Sequence, residues 1–150
     1  MPMAGGLAAL FTRDLTRLVQ ELQAFPSDES MWRHAAGVKN SAGNLRECIG
    51  WQLGSVAYSR ERDREFTLNG FSRDHLVQRM EQVKELVAKV VAQLSDDDLA
   101  AAFQERVLDT TLSSHDYLVH LHGHLNFHLG QIDYLRRILT EGSTVTFAGL

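Results

Sequence analysis

The sequence has little of what several common classes of protein require. Its only cysteine is Cys48, which excludes an internal disulfide and a disulfide-stapled secreted domain. No apolar run approaches the roughly 20 residues of a membrane-spanning helix, and the apolar N-terminal segment lacks the basic start of a signal peptide. We therefore expect a cytoplasmic protein that does not span a membrane.

Positive charge is also scarce. Lysine and arginine together number 15, against 19 aspartate and glutamate residues, so that the net charge is −4. Binding to the phosphates of a nucleic acid requires clustered basic residues, and no predicted helix face carries such a cluster. Nucleic acid is therefore not an expected partner.

Only two prolines, Pro2 and Pro26, interrupt the chain, and apolar residues recur at steps of three and four residues, as in amphipathic helices. The predicted long helices run from Leu7 to Phe25, from Asn40 or Ser41 to about Arg64, from Ser72 to Leu94, and from Ser113 or Ser114 to about Thr140. A short acidic turn is expected after Ser95. Four such helices can bury their apolar stripes only against one another. The sequence thus predicts an all-α, antiparallel four-helix bundle, with residues 1–150 forming one domain.

The last predicted helix carries three histidines, His120, His124 and His128, at intervals of four residues. Four residues advance a helix by slightly more than one turn, so these rings share one face. That face is predicted to be buried, because the same sector holds Tyr117, Leu121, Phe127, Ile132, Leu135 and Ile138. The spacing is typical of metal ligands, and a third ligand would have to come from another helix. Alternatively, His124 and His128 are core residues that form hydrogen bonds with Gln52 or Gln131.

Three stretches resemble the DinB superfamily of bacterial four-helix bundles. They are NSAGNLRECIGWQLG in the second predicted helix, RERDREF at its end, and HGHLNFHLGQIDYLRR in the last helix. The resemblance covers most of the chain and implies one divalent metal, held by a histidine of helix two and by an HxxxH pair followed by GQ. His124 and His128 match that pair, and Gly130 and Gln131 match GQ. The helix-two histidine is absent: either Asn40 replaces it at the matching position, or a short segment that carries it is missing from this chain.

Cys48, two turns beyond Asn40, is our substitute for the missing ligand. A thiolate and two imidazoles form a good zinc site with one open position, although nickel or iron could occupy it. The alternatives are core packing for Cys48 and helix capping for Asn40. His120 is a candidate catalytic base, a replacement third ligand or a packing residue.

The resemblance implies a metal-dependent enzyme that acts on a small molecule. The metal would bind a low-molecular-weight thiol, such as bacillithiol or mycothiol, as a thiolate for transfer to an electrophile; hydrolysis would use the same open position. The alternative is a non-catalytic bundle whose structural or degenerate metal site serves ligand binding or protein interaction. Superfamily membership also implies a homodimer, to which Val145, Phe147 and Leu150 could contribute.

The remaining histidines of the chain give weaker signals. His122 points about 160° away from His124 on the helix. It is expected to be solvated, like His34, His75 and His115. Gly123 and Gly130 lie on one side of the last helix, where we expect another helix to approach closely.

Overall fold

The fold is given by a computed structural model that describes residues 2–45, 49, 71–104 and 106–145. Within these residues lie five named helices: α1 (Met3–Ala24), α2 (Asp28–Trp32), α3 (Arg73–Ala92), α4 (Asp96–Ala100) and α5 (Ser114–Thr140). Residues 42–45 are also helical. The described residues contain isolated β-bridges but no named strand, so the all-α prediction is confirmed. Most of the predicted second helix, including Cys48, lies outside the described residues.

Serine side chains begin most of the helices. Ser72, Ser95 and Ser113 each accept a hydrogen bond from the backbone N–H three residues later, at the first turns of α3, α4 and α5. Ser41 does the same for Asn44, whose side chain accepts a bond from the Ser41 N–H in return. Such reciprocal bonds satisfy backbone donors that a helix start leaves unpaired. These observations confirm the helix starts predicted at Ser41, Ser72, Ser95 and Ser113, whereas α1 begins at Met3, before the predicted Leu7.

A short helix, α2, occupies part of the segment between the first two predicted long helices. Ser27 caps it, and the side chain of Ser30 bonds back to the Ser27 N–H. Five residues are too few to show a helical repeat of apolar side chains. The capping pair alone therefore marks α2 in the sequence.

The first helix forms the centre of the core. Its apolar stripe is fully buried at Phe11, Leu15, Leu18 and Leu22, and α1 packs against both α3 and α5. Arg73, at the start of α3, donates a hydrogen bond to the carbonyl of Phe25, just beyond the end of α1. The helices α1 and α3 therefore run in opposite directions.

By contrast, α1 and α5 run in the same direction. Asp14 pairs with His122, and Glu21, two turns further along α1, pairs with Arg136, which is also further along α5. Successive contacts thus advance along both helices together. The result is a helical bundle in which the first and last long helices are parallel.

Trp32 joins three segments at one end of the bundle. Its indole N–H donates a hydrogen bond to the carbonyl of Phe71, at 3.1 Å. Its ring also covers Gly43 so closely that a Cβ atom there would lie 2.7 Å from Trp32 Cε3. Glycine is therefore required at position 43 by the approach of the indole. The helical turn after Ser41 and helix α3 consequently begin at the same end of the bundle.

Candidate metal centre and polar seam

The buried face of α5 is rotated from the predicted one. Tyr117, Leu121, Ile132 and Leu135 are buried as predicted, whereas the side chains of Phe127 and Ile138 are 61% and 64% exposed. The other half of the buried face is formed by Leu118, Leu125 and Leu129. The prediction for Phe127 and Ile138 is therefore wrong, because α1 and the rest of the core cover a neighbouring sector of the helix.

Because of this rotation, the three histidines differ in their exposure to solvent. His120 is exposed, His124 is half-buried and His128 is buried. The ring centroids of His124 and His128 are 4.4 Å apart, whereas those of His120 and His124 are 6.2 Å apart. The structure thus brings His124 and His128 together at the edge of the core and leaves His120 at the surface.

The ring of His128 is oriented by Gln131. Its Nδ1 lies 2.7 Å from the side-chain oxygen of Gln131. Because an amide oxygen can only accept, Nδ1 carries a proton, and in the neutral ring the lone pair is then on Nε2. Metal-binding histidines are commonly held in this way by a hydrogen bond to the ring nitrogen that does not bind the metal.

The ring of His124 has an unsatisfied nitrogen. Its Nδ1 is buried and has no hydrogen-bond partner in the described part of the chain. Burial lowers the pKa of His124, and electrostatic repulsion of its protonated form by the adjacent rings of His128 and His120 lowers it further. The neutral imidazole, which is the form that binds metals, is therefore favoured. A buried ring nitrogen without a partner suits a ligand to an ion.

The structure does not identify a third ligand for these two histidines. Among the described residues, no group of three histidine, cysteine, aspartate or glutamate side chains is arranged to hold a metal. Cys48, the predicted third ligand, lies outside those residues. Asn40 is exposed and precedes Ser41, and Ser41 rather than Asn40 supplies the helix cap. The roles of Cys48, His124 and His128 as ligands remain predictions.

A second polar cluster lies between α1 and α5, on the other side of α5. The fully buried carboxylate of Asp14 accepts hydrogen bonds from Arg13 at 2.8 Å, from Arg17 at 3.0 Å and from the side-chain N–H of Asn126 at 3.0 Å. His122 Nε2 lies 2.7 Å from the same carboxylate. The expectation that His122 is solvated is therefore wrong.

The hydrogen bonds to Asp14 determine its ionisation. Burial raises the pKa of this carboxyl group, but hydrogen bonds from Arg13, Asn126 and His122 outweigh that effect and lower the pKa to about 2. Asp14 is thus a carboxylate at neutral pH, which can only accept hydrogen bonds, and His122 must donate through Nε2. The cluster is therefore a buried carboxylate surrounded by hydrogen-bond donors of both α1 and α5.

Two turns further along α1, Glu21 forms a second buried pair. Its Oε2 accepts a hydrogen bond from Arg136 Nε at 2.6 Å, and both side chains are almost completely buried. Burial raises the pKa of Glu21, and the adjacent Arg136 opposes that shift. Arg136 also donates to the carbonyl of Ser143 at 2.9 Å, which ties the segment after α5 to the bundle.

Asp14 and Glu21, with their partners on α5, form a polar seam that was not predicted from the sequence, although one signal is present. Asp14 and Glu21 interrupt the apolar stripe of α1 and are separated by seven residues, or two helical turns. Charged residues on a core-facing stripe require partners of opposite charge or hydrogen-bond donors. Their partners lie on α5, where no local pattern identifies them.

Comparisons with known proteins address the fold and the family. The sequence profile of the DinB superfamily matches residues 10–132. The crystal structure of a DinB-like protein from Bacillus cereus superposes with a TM-score of 0.72, at 18% sequence identity, over 97% of this chain and 95% of that chain. No curated protein sequence gives a significant match. None of the described helices is long and apolar enough to cross a membrane. The bundle fold predicted from the sequence is confirmed, and the chain belongs to the DinB superfamily.

Proposed function

We propose that this chain binds one divalent metal through His124 and His128 and acts as a metal-dependent enzyme on a small molecule. The observation that carries the proposal is the arrangement of these two rings. Their centroids lie 4.4 Å apart at the edge of the core, and Gln131 fixes the proton of His128 on Nδ1. Nδ1 of His124 is buried and has no hydrogen-bond partner among the described residues, and it would be the second atom that binds the ion.

Zinc is our first choice for the metal, with nickel or iron as alternatives. Two imidazoles suit all three ions, and a thiolate from Cys48 as the third ligand would favour zinc over magnesium, calcium or manganese. When bound, such an ion lowers the pKa of a thiol or water at its open position and so supplies a nucleophile at neutral pH.

The residues of the chain have distinct parts in this proposal. Gln131 holds the ring of His128 in one orientation, with the Nε2 lone pair as the donor to the ion. His120, on the exposed side of His124, accepts the proton of the incoming thiol or water at one of its ring nitrogens. Its exposure suits exchange of that proton with solvent. The reaction class is transfer of a small thiol to an electrophile, or hydrolysis.

Metal analysis of tag-free protein is the first test of the proposal. Wild type should contain close to one equivalent of metal, and His128→Ala and Cys48→Ser should lose most of it. His34→Ala, which removes an exposed histidine outside α5, is the matched control and should retain the metal. If Cys48→Ser keeps the metal and His128→Ala loses it, the result supports His124 and His128 as ligands and excludes Cys48 as the third ligand.

A catalytic assay separates an enzyme from a binding protein. Metal-loaded wild type should accelerate conjugation of a small thiol to a model electrophile, and His120→Ala should slow the reaction without losing the metal. Metal-free wild type of full thermal stability would instead favour the second candidate, a non-catalytic bundle. That candidate is motivated by Asn40, which occupies the expected ligand position and is exposed.

A further inference from the structure

Phe127 is a large apolar residue that the core leaves uncovered beside the proposed metal ligands. It is 61% exposed. The centroid of its ring lies 5.5 Å from that of His128, in an edge-to-face arrangement, and 6.5 Å from that of His124. A single exposed apolar residue is ordinary on a protein surface, but this ring borders both imidazoles. It is therefore within reach of a small molecule that is held at the pair.

The nearest neighbours of Phe127 along α5 divide into two pairs. Residues three and four positions apart are adjacent on a helix surface. On one side of Phe127 these neighbours are His124 and Gln131, which belong to the proposed metal site. On the other side they are Gly123 and Gly130. Phe127 thus lies at the boundary between the metal site and a strip of helix that carries no side chains.

The two glycines leave the outer side of the Phe127 ring open. A Cβ atom built at Gly123 or at Gly130 would meet nothing within 4 Å among the described residues. The expectation that another helix packs closely on these glycines is therefore not met by the described part of the chain. Most other residues would give a more stable helix at these exposed positions, but a side chain at position 130 would lie beside the ring. Glycine keeps the ring accessible.

Tyr134 is another large exposed ring on this side of α5, and it differs from Phe127 in two respects. The guanidinium carbon of Arg137 lies 5.5 Å from the centroid of the Tyr134 ring, so a cation of the same helix already lies over that ring. Tyr134 is also seven residues beyond Phe127, or about 10 Å along the helix axis. Phe127, rather than Tyr134, is therefore the ring that borders the two imidazoles.

We infer that Phe127 binds an apolar group, aryl or branched alkyl, of the small molecule that reacts at His124 and His128. The inference rests on the proposed function and narrows its substrate class. An apolar group gains free energy by covering ring surface that water otherwise contacts, and aromatic rings pack well on one another. A polar group gains nothing from this ring. Because the ring is so close to both imidazoles, only a short link separates the apolar group from the reacting atom.

Two probe thiols of similar acidity, benzyl mercaptan and 2-mercaptoethanol, test the inference on the cobalt-loaded full chain. Cobalt takes the place of zinc and gives a visible absorption band when a thiolate binds, so a titration measures affinity without a catalytic assay. Wild type should bind benzyl mercaptan at least about tenfold more tightly than 2-mercaptoethanol. Phe127→Ala should keep its cobalt and bind the two thiols about equally, whereas Phe127→Leu should retain most of the preference.

Two further variants separate the binding surface from the stability of the fold. Gly130→Leu places a side chain beside the Phe127 ring and should reduce the preference for benzyl mercaptan. The same change should raise the melting temperature, because leucine favours a helix more than glycine does. Tyr134→Ala removes the exposed ring two turns away. It is the matched control and should retain the full preference.

Three results would count against the inference. Wild type that takes up no cobalt would overturn the proposed function and this inference with it. Wild type that binds cobalt but has equal affinity for the two thiols would overturn the inference alone. A preference for benzyl mercaptan that survives Phe127→Ala would also overturn it, because the apolar group would then lie against other residues.

Discussion

Oδ2 of Asp14 accepts a hydrogen bond of 2.7 Å from Nε2 of His122, a residue 108 positions later in the chain. This contact lies inside the interface between the first and last long helices. Seven residues beyond Asp14, Glu21 contacts Arg136 in the same interface. The two helices are thus joined by a buried hydrogen bond between a carboxylate and an imidazole and by a buried ion pair, and both contacts lead to specific predictions about stability.

Acid should weaken the folded state through Asp14. Its pKa is lowered from 3.8 to about 2, so the folded chain binds fewer protons there than the unfolded chain between these values. The stabilisation is therefore present above the ordinary pKa and is lost as the pH falls toward the folded pKa. The free energy of unfolding of wild type should fall by about 1 kcal/mol more than that of Asp14→Asn between about pH 6 and pH 3. Urea titrations at both pH values measure the difference, and a constant gap would contradict the prediction.

Loss of Arg136 should destabilise the chain more than loss of its whole pair. Arg136→Met leaves Glu21 buried without its cation and should cost about 3 to 5 kcal/mol of unfolding free energy. Adding Glu21→Leu removes the stranded carboxylate and should recover part of that cost. Chemical denaturation of the wild type, both single variants and the double variant measures the coupling. Additive effects of the two changes would show that the pair is not energetically coupled.

Gly43→Ala should destabilise the end of the bundle where Trp32 lies. The new methyl group would lie within 2.9 Å of three atoms of the indole, and overpacking of this kind costs about 1 to 3 kcal/mol. The matched control is Gly6→Ala in α1, where an added Cβ meets nothing within 4 Å. This control should stabilise the chain slightly, because alanine favours a helix. Equal melting temperatures for the two variants would contradict the proposed contact.

Gln131→Ala should weaken metal binding without removing a ligand. The substitution frees Nδ1 of His128 from its hydrogen bond of 2.7 Å, so the ring loses its fixed orientation and proton position. Losses of this kind typically lower metal affinity by about 10- to 100-fold. Gln78→Ala, an exposed glutamine on α3, is the control. Competition with a chromophoric chelator measures both affinities. An unchanged affinity for Gln131→Ala would show that Gln131 has no role in metal binding.

Local features were predictable from the sequence because they depend on neighbouring residues. Ser72, Ser95 and Ser113 begin helices since each side chain reaches a backbone N–H only three residues away. The spacing of His124 and His128 likewise ensures that the two rings are neighbours on one helix. Whether they bind a metal depends on a third group from another helix, and the spacing contains no information about that group.

The rotation of α5 was not predictable in the same way. Apolar residues surround much of this helix, with Leu125 and Leu129 on the buried side and Phe127 and Ile138 on the exposed side. The buried sector depends on where α1 packs, and that position depends on pairs such as Asp14 with His122. A periodicity calculation treats each helix alone and cannot identify the side that a distant partner will cover.

The parallel contact between α1 and α5 also affects how the chain reaches its folded state. The pairs that close this interface span 108, 112 and 115 residues, so most of the polypeptide must be present before Asp14 and Glu21 find their partners. Contacts of such long range slow folding, because a large loop must close before any of them forms. During synthesis on the ribosome, α1 would therefore keep Glu21 on its apolar stripe without Arg136, and Asp14 with only its α1 neighbours Arg13 and Arg17, until α5 emerges, a period in which chaperones could bind it.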